Sequence, residues 1–206
     1  MPKEIPDEAI VRHLLLRIAS SSEVRQRDLS QELGIALGLT NAYIKHLIDK
    51  GLIKVSQIPA KRYAYYLTPT GFLEKSRLVA SYLSHSFQFF WDARGQCRDL
   101  LERSAAAGRR RVLFYGLSEL VEIAALAAQE AGVELCGVVA PDSTETVSGA
   151  LAVFPSLESA PPHDAILITG YRQGQAIYET LAPRVGEDRL LLLPLLHITR
   201  TDFNAG

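Results

Sequence analysis

The chain is poor in sulfur and in clustered metal-binding side chains. Its 206 residues hold two cysteines, one methionine and five histidines. Cys97 and Cys136 lie far apart, without a CxxC pair or a Cys/His cluster at metal-ligand spacing, which excludes a zinc finger and points to a reducing compartment. Lysine is absent after Lys75. No Tyr-x-x-x-Lys pair exists, and His163 and His197 stand in unrelated contexts without a base, nucleophile or metal partner. No catalytic residue and no metal ligand is therefore assigned, the chain is read as a non-enzyme, and its cofactor is left unknown. No apolar run approaches the roughly 18 residues of a membrane span. The start, MPKEIPDEAIVRHLLLRI, carries acids before its apolar residues and lacks a small-residue cleavage site, so it is not a signal peptide. The expected location is the cytoplasm, away from membranes.

What the chain does have is apolar material for packed cores, 48% of its residues, and an uneven charge. Residues 1–108 hold 15 Lys+Arg against 11 Asp+Glu, a balance of +4, and residues 109–206 hold 7 against 12, a balance of −5. The stretch 24–67 alone carries 7 against 3, so the positive excess gathers where phosphate contacts would be made. An acidic second half suits a different task.

Residues 25–68 read as helix, turn, helix and two strands. Leu29, Leu33 and Ile35, then Ile44, Leu47 and Ile48, recur at helical spacing. Gly34 and Gly38 bracket the turn, Thr40 is a plausible N-cap of a second helix over 40–50, and Gly51 stands where that helix should stop. Leu52 to Ile58 and Tyr63 to Thr68 are rich in β-branched and aromatic residues, with Pro59, Ala60, Lys61 and Arg62 between them. This is the order of a winged helix-turn-helix, and it predicts a module for double-stranded DNA. The expected contacts are Arg25, Arg27, Thr40, Asn41, Tyr43, Lys45 and His46 on or beside the helices, with Lys61 and Arg62 at the wing tip. Ahead of them, Asp7, Ile10, Leu14, Leu15 and Ile18 predict a supporting first helix, with Arg12, His13 and Arg17 on its surface.

The run LGIALGLTNAYIKHLIDKGLIKV, followed by YAYYLTPTGFLEKSRL, resembles the MarR-type winged-helix regulators associated with exopolysaccharide gene clusters. The resemblance covers about residues 10–80 and rests most on Thr40-Asn41-Ala42-Tyr43, Lys50-Gly51-Leu52-Ile53 and Leu67-Thr68-Pro69-Thr70-Gly71. It implies transcriptional control by a homodimer, with surface polysaccharide genes as targets. Members of that group end soon after this region, whereas this chain continues for over a hundred residues.

Beyond Pro69 a long helix is expected. Its stripe, Phe72, Val79, Leu83, Phe87, Phe90, Cys97 and Leu101, needs a partner, and the crowding of Phe87, Phe89, Phe90 and Trp91 favours a second copy over intrachain packing. Gly95 is expected to break or kink it, and Ser104 to Gly108 to end it. From Arg109 onward the pattern alternates: strand 111–115, Gly116, helix 117–131, strand 133–140, a short strand 151–154, strand 164–169, helix 173–181 and a last strand 189–195. This predicts a Rossmann-like parallel sheet with helices on both faces. Its ligands would sit at the carboxyl ends of the strands. The candidates there are Gly116, Ser118, Glu119, Asp142, Thr169, Gly170 and Arg172.

The glycine fingerprint is degraded. Ser118 and Val121 stand where a dinucleotide site has its second and third glycines, and Glu119 adds an opposing charge. With its strand-Gly-x-Ser-Glu-helix pattern and the later Pro161-Pro162-His163-Asp164-Ala165-Ile166-Leu167-Ile168 strand, the second half also resembles, over roughly 85 residues, small Rossmann-like modules found beside sugar-modifying enzymes; this implies a nucleotide sugar or related metabolite as effector, beside the nucleotide that the fold itself suggests. The expected organisation is therefore α/β, with a winged helix-turn-helix over 1–70, a long connecting and dimerisation helix over 71–108 and a sensor domain over 109–206. Two alternatives stay open: a ligand-free assembly module and a nucleotide-dependent enzyme.

Overall fold

Asp7 caps the first helix, its carboxylate accepting from the Ala9 N–H at 2.7 Å and so pairing one of the amides that helix starts leave bare. The computed structural model describes residues 7–58 and 62–200, without the side chains of Ile58 and Arg62. Helix α1 runs Glu8–Ser20 and buries Val11, Leu14, Leu15 and Ile18, the inner stripe of an amphipathic helix. Helix α2, Gln26–Leu33, stops at Gly34 in the left-handed region (φ 64°), where a glycine carries no Cβ penalty. Between these helices Glu32 accepts from Arg17 Nε at 2.7 Å and Arg17 Nη2 at 2.9 Å, with His13 Nε2 at 3.3 Å. The Arg17 hydrogen bond holds the Glu32 carboxyl below the usual carboxylate range.

Helix α3 begins earlier than the sequence predicts. It spans Leu37–Asp49 with Ala36 as its cap residue, and no side chain caps it. Thr40 is therefore not an N-cap. It is fully buried in the first turns, where its hydroxyl donates back to the Ala36 carbonyl at 3.3 Å, the usual resort of a threonine inside a helix. Gly38 does not bound the turn but lies within the helix, with nothing within 4 Å of the place its Cβ would take.

The wing follows as β1, Ile53–Ile58, paired antiparallel with β2, Arg62–Leu67, from Ile53 opposite Leu67 to Ile58 opposite Arg62. Its base is tied down by Tyr65, whose N–H donates to Ser22 O and whose hydroxyl accepts from Gln26 Nε2 at 2.7 Å. Thr68 then joins three elements. Its hydroxyl donates to Gly51 O at 2.6 Å and accepts from the Gly71 N–H at 3.0 Å, which caps helix α4, Pro69–Ala106. Proline suits this first helical position, because the N–H it lacks has no partner there anyway.

The chain divides into two compact units, Met1–Ser86 and Phe87–Gly206, and the division falls inside α4. In the first unit α4 contributes Leu78 to a core built on α1, α2, α3 and the wing. In the second it contributes Ala93, Cys97 and Leu101. The expected continuous stripe is not there. Phe72, Leu83 and Phe87 are exposed, while Cys97 and Leu101 are buried in their own unit. Burial pushes the Cys97 thiol up to about 12, so it stays protonated. Gly95 does not break α4, which runs through it without interruption, because the packing of Ala93 and Cys97 on either side outweighs a propensity cost of about 1 kcal/mol.

The second unit continues with β3 (Arg111–Tyr115), α5 (Leu120–Ala131), β4 (Glu134–Val139), β5 (Val147–Ser148), β6 (Leu151–Phe154), β7 (Ala165–Ile168), α6 (Gly174–Val185) and β8 (Leu190–Leu191). The sheet order is β5-β6-β4-β3-β7-β8. Pairings are parallel except β5 with β6. The strand side chains alternate between two cores. Val112, Phe114, Val138 and Leu167 pack with α5 and the end of α4, and Leu113, Val139, Ile166 and Ile168 pack with α6, so both faces of the sheet are covered. The last strand is shorter than the apolar run 189–195 suggests, since Pro194 opens a 3-10 turn and cannot donate to a ladder. Strand β5 was not expected. Its hairpin signal is Gly149, at φ 59°, in a polar stretch.

Candidate nucleic-acid interface and ligand cavity

In the first unit the buried residues of α3, Thr40, Ile44 and Leu47, leave the opposite face to solvent. That face carries Gly38, Asn41, Ala42, Lys45 and Asp49, all exposed, which fall together at helical spacing. Leu37 and Leu39 at the start of the helix are also exposed, at 45% and 47%. Asparagine can pair bidentately with adenine, alanine can meet a thymine methyl, and lysine can reach phosphate or guanine. Arg25 and Arg27 are exposed at the start of α2.

Two of the expected contacts are turned elsewhere. Thr40 is buried, as described above. Tyr43 is half-buried, and its hydroxyl accepts from the Asp7 N–H at 3.1 Å, which commits the ring to α1. His46 is half-buried at the border of the exposed face. Lys61 lies outside the described residues, as does the side chain of Arg62. Gly38, Leu37 and Leu39 were not among the candidates, because starting the helix at Thr40 leaves them in a loop.

The second unit has a cavity of about 760 Å³ at the carboxyl ends of β3, β4 and β7. Neighbours β4 and β7 flank β3 on opposite sides, and the loops leaving such a central strand part to form a crevice. Of the seven expected residues, Gly116, Ser118, Glu119, Asp142, Gly170 and Arg172 line the cavity. Thr169 does not. It is fully buried beneath the floor, its hydroxyl donating to Gly116 O at 2.6 Å. Gly116 (φ 94°) lies so close to Gly170 that a Cβ on it would stand 2.4 Å from the Gly170 Cα.

Ser118 lines the wall, but its hydroxyl is already used, donating to Thr169 O at 2.6 Å and accepting from the Leu120 N–H at 3.1 Å. It therefore caps α5. Glu119 is held below the ordinary carboxylate range, first by its own backbone N–H, then by the Tyr171 hydroxyl, with a smaller contribution from the charge of Arg172. Tyr115, Glu122, Glu145 and Tyr171 also line the cavity and were missed. Glu122 lies one helical turn beyond Ser118, a spacing that could have revealed it.

Among the described residues no group of three or more His, Cys, Asp or Glu is placed to hold a metal ion. Among them, too, no helix is long and apolar enough to cross a membrane.

Residues 8–54 match the family described as "Winged helix-turn-helix DNA-binding", and the order α1, α2, α3, wing gives that match its structural form. No curated protein matches the chain significantly. Three solved structures show slight likeness. AdcR, a zinc-dependent MarR family transcriptional regulator seen with Zn(II), is 17% identical over 44% of this chain and 63% of its own, with a TM-score of 0.36. A MarR transcriptional regulator from Methanosarcina mazei Go1 is 22% identical over 39% and 61%, with a TM-score of 0.33. FabT of Streptococcus pneumoniae, in complex with DNA, is 21% identical over 63% and 73%, with a TM-score of 0.36. The match thus spans about three-fifths of the first two structures. The winged helix rests on the family match and on the element order, not on these likenesses.

Proposed function

We propose that this protein is a MarR-type transcriptional regulator that acts in the cytoplasm as a homodimer on double-stranded DNA. The single observation that carries the reading is the solvent-facing side of α3, where Gly38, Asn41, Ala42 and Lys45 stand together on a helix anchored by Thr40, Ile44 and Leu47. Support for a second copy comes from α4, which exposes Phe72, Leu73, Tyr82 and Leu83 in the first unit and Phe87, Phe89 and Trp91 in the second. Aromatic residues left to solvent in such number favour a protein interface. Surface polysaccharide genes are the proposed targets, on the resemblance of residues 10–80.

The second unit is read as a Rossmann-like sensor of a small metabolite, supported by its parallel strand order and by the cavity at the strand ends. A ligand of that cavity would alter DNA binding only by as much as its affinity differs between the DNA-competent and incompetent states.

Selection from a random duplex pool tests the reading. The expected product is an inverted repeat whose half-site centres lie one helical turn, roughly 34–36 Å, or a multiple of it apart. A pool that yields no enriched sequence, or one unrepeated half-site, removes the dimeric regulator from consideration.

A further inference from the structure

The cavity of the second unit has a wall of one dominant charge. Glu119, Glu122, Asp142 and Glu145 line it against a single cation, Arg172, so four formal negative charges face one positive. The Arg172 guanidinium lies 5.7 Å from the Tyr171 ring centroid, and one cation does not offset four carboxylates. The next arginine to act on this region, Arg184, is felt at Tyr115 but is paired with Glu158. At the start of α5, where a phosphate would take the bare amides, the chain supplies its own groups. The Ser118 hydroxyl accepts from the Leu120 N–H at 3.1 Å, and the Ser118 carbonyl accepts from the Val121 N–H at 3.0 Å.

Resting on the sensor reading above, we infer that the cavity takes a ligand rich in hydroxyl or ammonium donors, a nucleoside or an amino sugar, and rejects its phosphorylated form. An ionised carboxylate only accepts hydrogen bonds. Vicinal hydroxyls and an ammonium group are the donors that satisfy several carboxylates at once, while a phosphate would add like charge to the wall. Leu117, Ile177 and Tyr115 give the same cavity apolar surface for the face of a sugar or base.

The test is thermal unfolding of the full chain with matched pairs: adenosine against adenosine monophosphate, and glucosamine against glucosamine 6-phosphate. Saturation by the phosphate-free member of one pair raises the midpoint by roughly 5–10 °C for a chain of this size, and its phosphate produces no comparable rise. The double variant Glu122→Gln with Asp142→Asn, both at exposed positions, keeps the unliganded midpoint and loses the shift. A phosphorylated member that stabilises as much as its partner, or more, overturns the ligand class and leaves the sensor reading standing. No shift with any of the four overturns both, and leaves the DNA reading to be judged on the selected duplex.

Discussion

Gly71→Ala lowers the unfolding temperature of the N-terminal unit by roughly 10–20 °C, the shift expected for a loss of about 3 kcal/mol in a domain of under a hundred residues. A Cβ at this position would stand 1.8 Å from the Leu52 carbonyl oxygen, and 2.8 Å from its carbon. Neither can yield. Leu52 O accepts from the Thr68 N–H at 3.0 Å, and the Gly71 N–H is itself bound to the Thr68 hydroxyl, so the start of α4 is pinned to the end of α3. Backbone packed against backbone has no rotamer through which to escape. Far-UV circular dichroism follows the loss. The fluorescence of the single tryptophan, Trp91, reports on the second unit, where the residue lies, and its transition stays in place. A variant melting within about 2 °C of the parent, under the shift of a 1 kcal/mol change, would show that this contact is not as close as described.

Gly116→Ala acts on the second unit by the same logic and adds a conformational penalty. The residue has φ 94°, and its Cβ would meet the Gly170 Cα at 2.4 Å and the Gly170 N at 2.5 Å. Backbone strain of about 1–3 kcal/mol thus adds to overpacking of about 1–3 kcal/mol. The cost falls where the β3 and β7 loops meet at the floor of the cavity. The Trp91 fluorescence midpoint in urea falls while the N-terminal unit, followed by protection of its amides from exchange, holds. Unaltered fluorescence unfolding would mean that the two loops stand further apart than this geometry requires.

How far the chain could be read in advance depended on whether local pattern or tertiary packing decided each element. Strand β3 and the wing strands follow from short apolar runs next to Gly116 and Gly51, so their ends were legible to within a residue or two. Helix α3 was not, because Gly38 looks like a turn and Thr40 like a cap. Packing of Thr40 into the core outweighs both local signals and moves the helix start to Leu37. That shift changes the candidate reading face. It turns Thr40 and Tyr43 inward and brings Gly38 beside Asn41 and Lys45.

Helix α4 misleads in another way. One heptad-like pattern runs through it, yet its apolar residues serve two separate cores, with an exposed stretch, Tyr82 to Phe89, between them. At the cavity, the loops after β3, β4 and β7 were legible because strand ends define them. The share of their side chains already used internally was not. The Ser118 and Thr169 hydroxyls look free in a sequence and are bound in the fold.

The measurement that bears most directly on the account is the salt dependence of binding to the selected duplex, made with the parent chain, Lys45→Ala and Asn41→Ala. The parent binds more weakly as salt rises, with a slope set by the phosphates it neutralises. Lys45→Ala weakens binding by a similar factor on all sequences and reduces that slope by about one, as expected of a phosphate contact. Asn41→Ala keeps the slope and loses about 1–3 kcal/mol of discrimination at one base pair. A parent chain that binds the selected and a scrambled duplex alike, with both variants indistinguishable from it, would contradict the assignment of α3 as the reading helix.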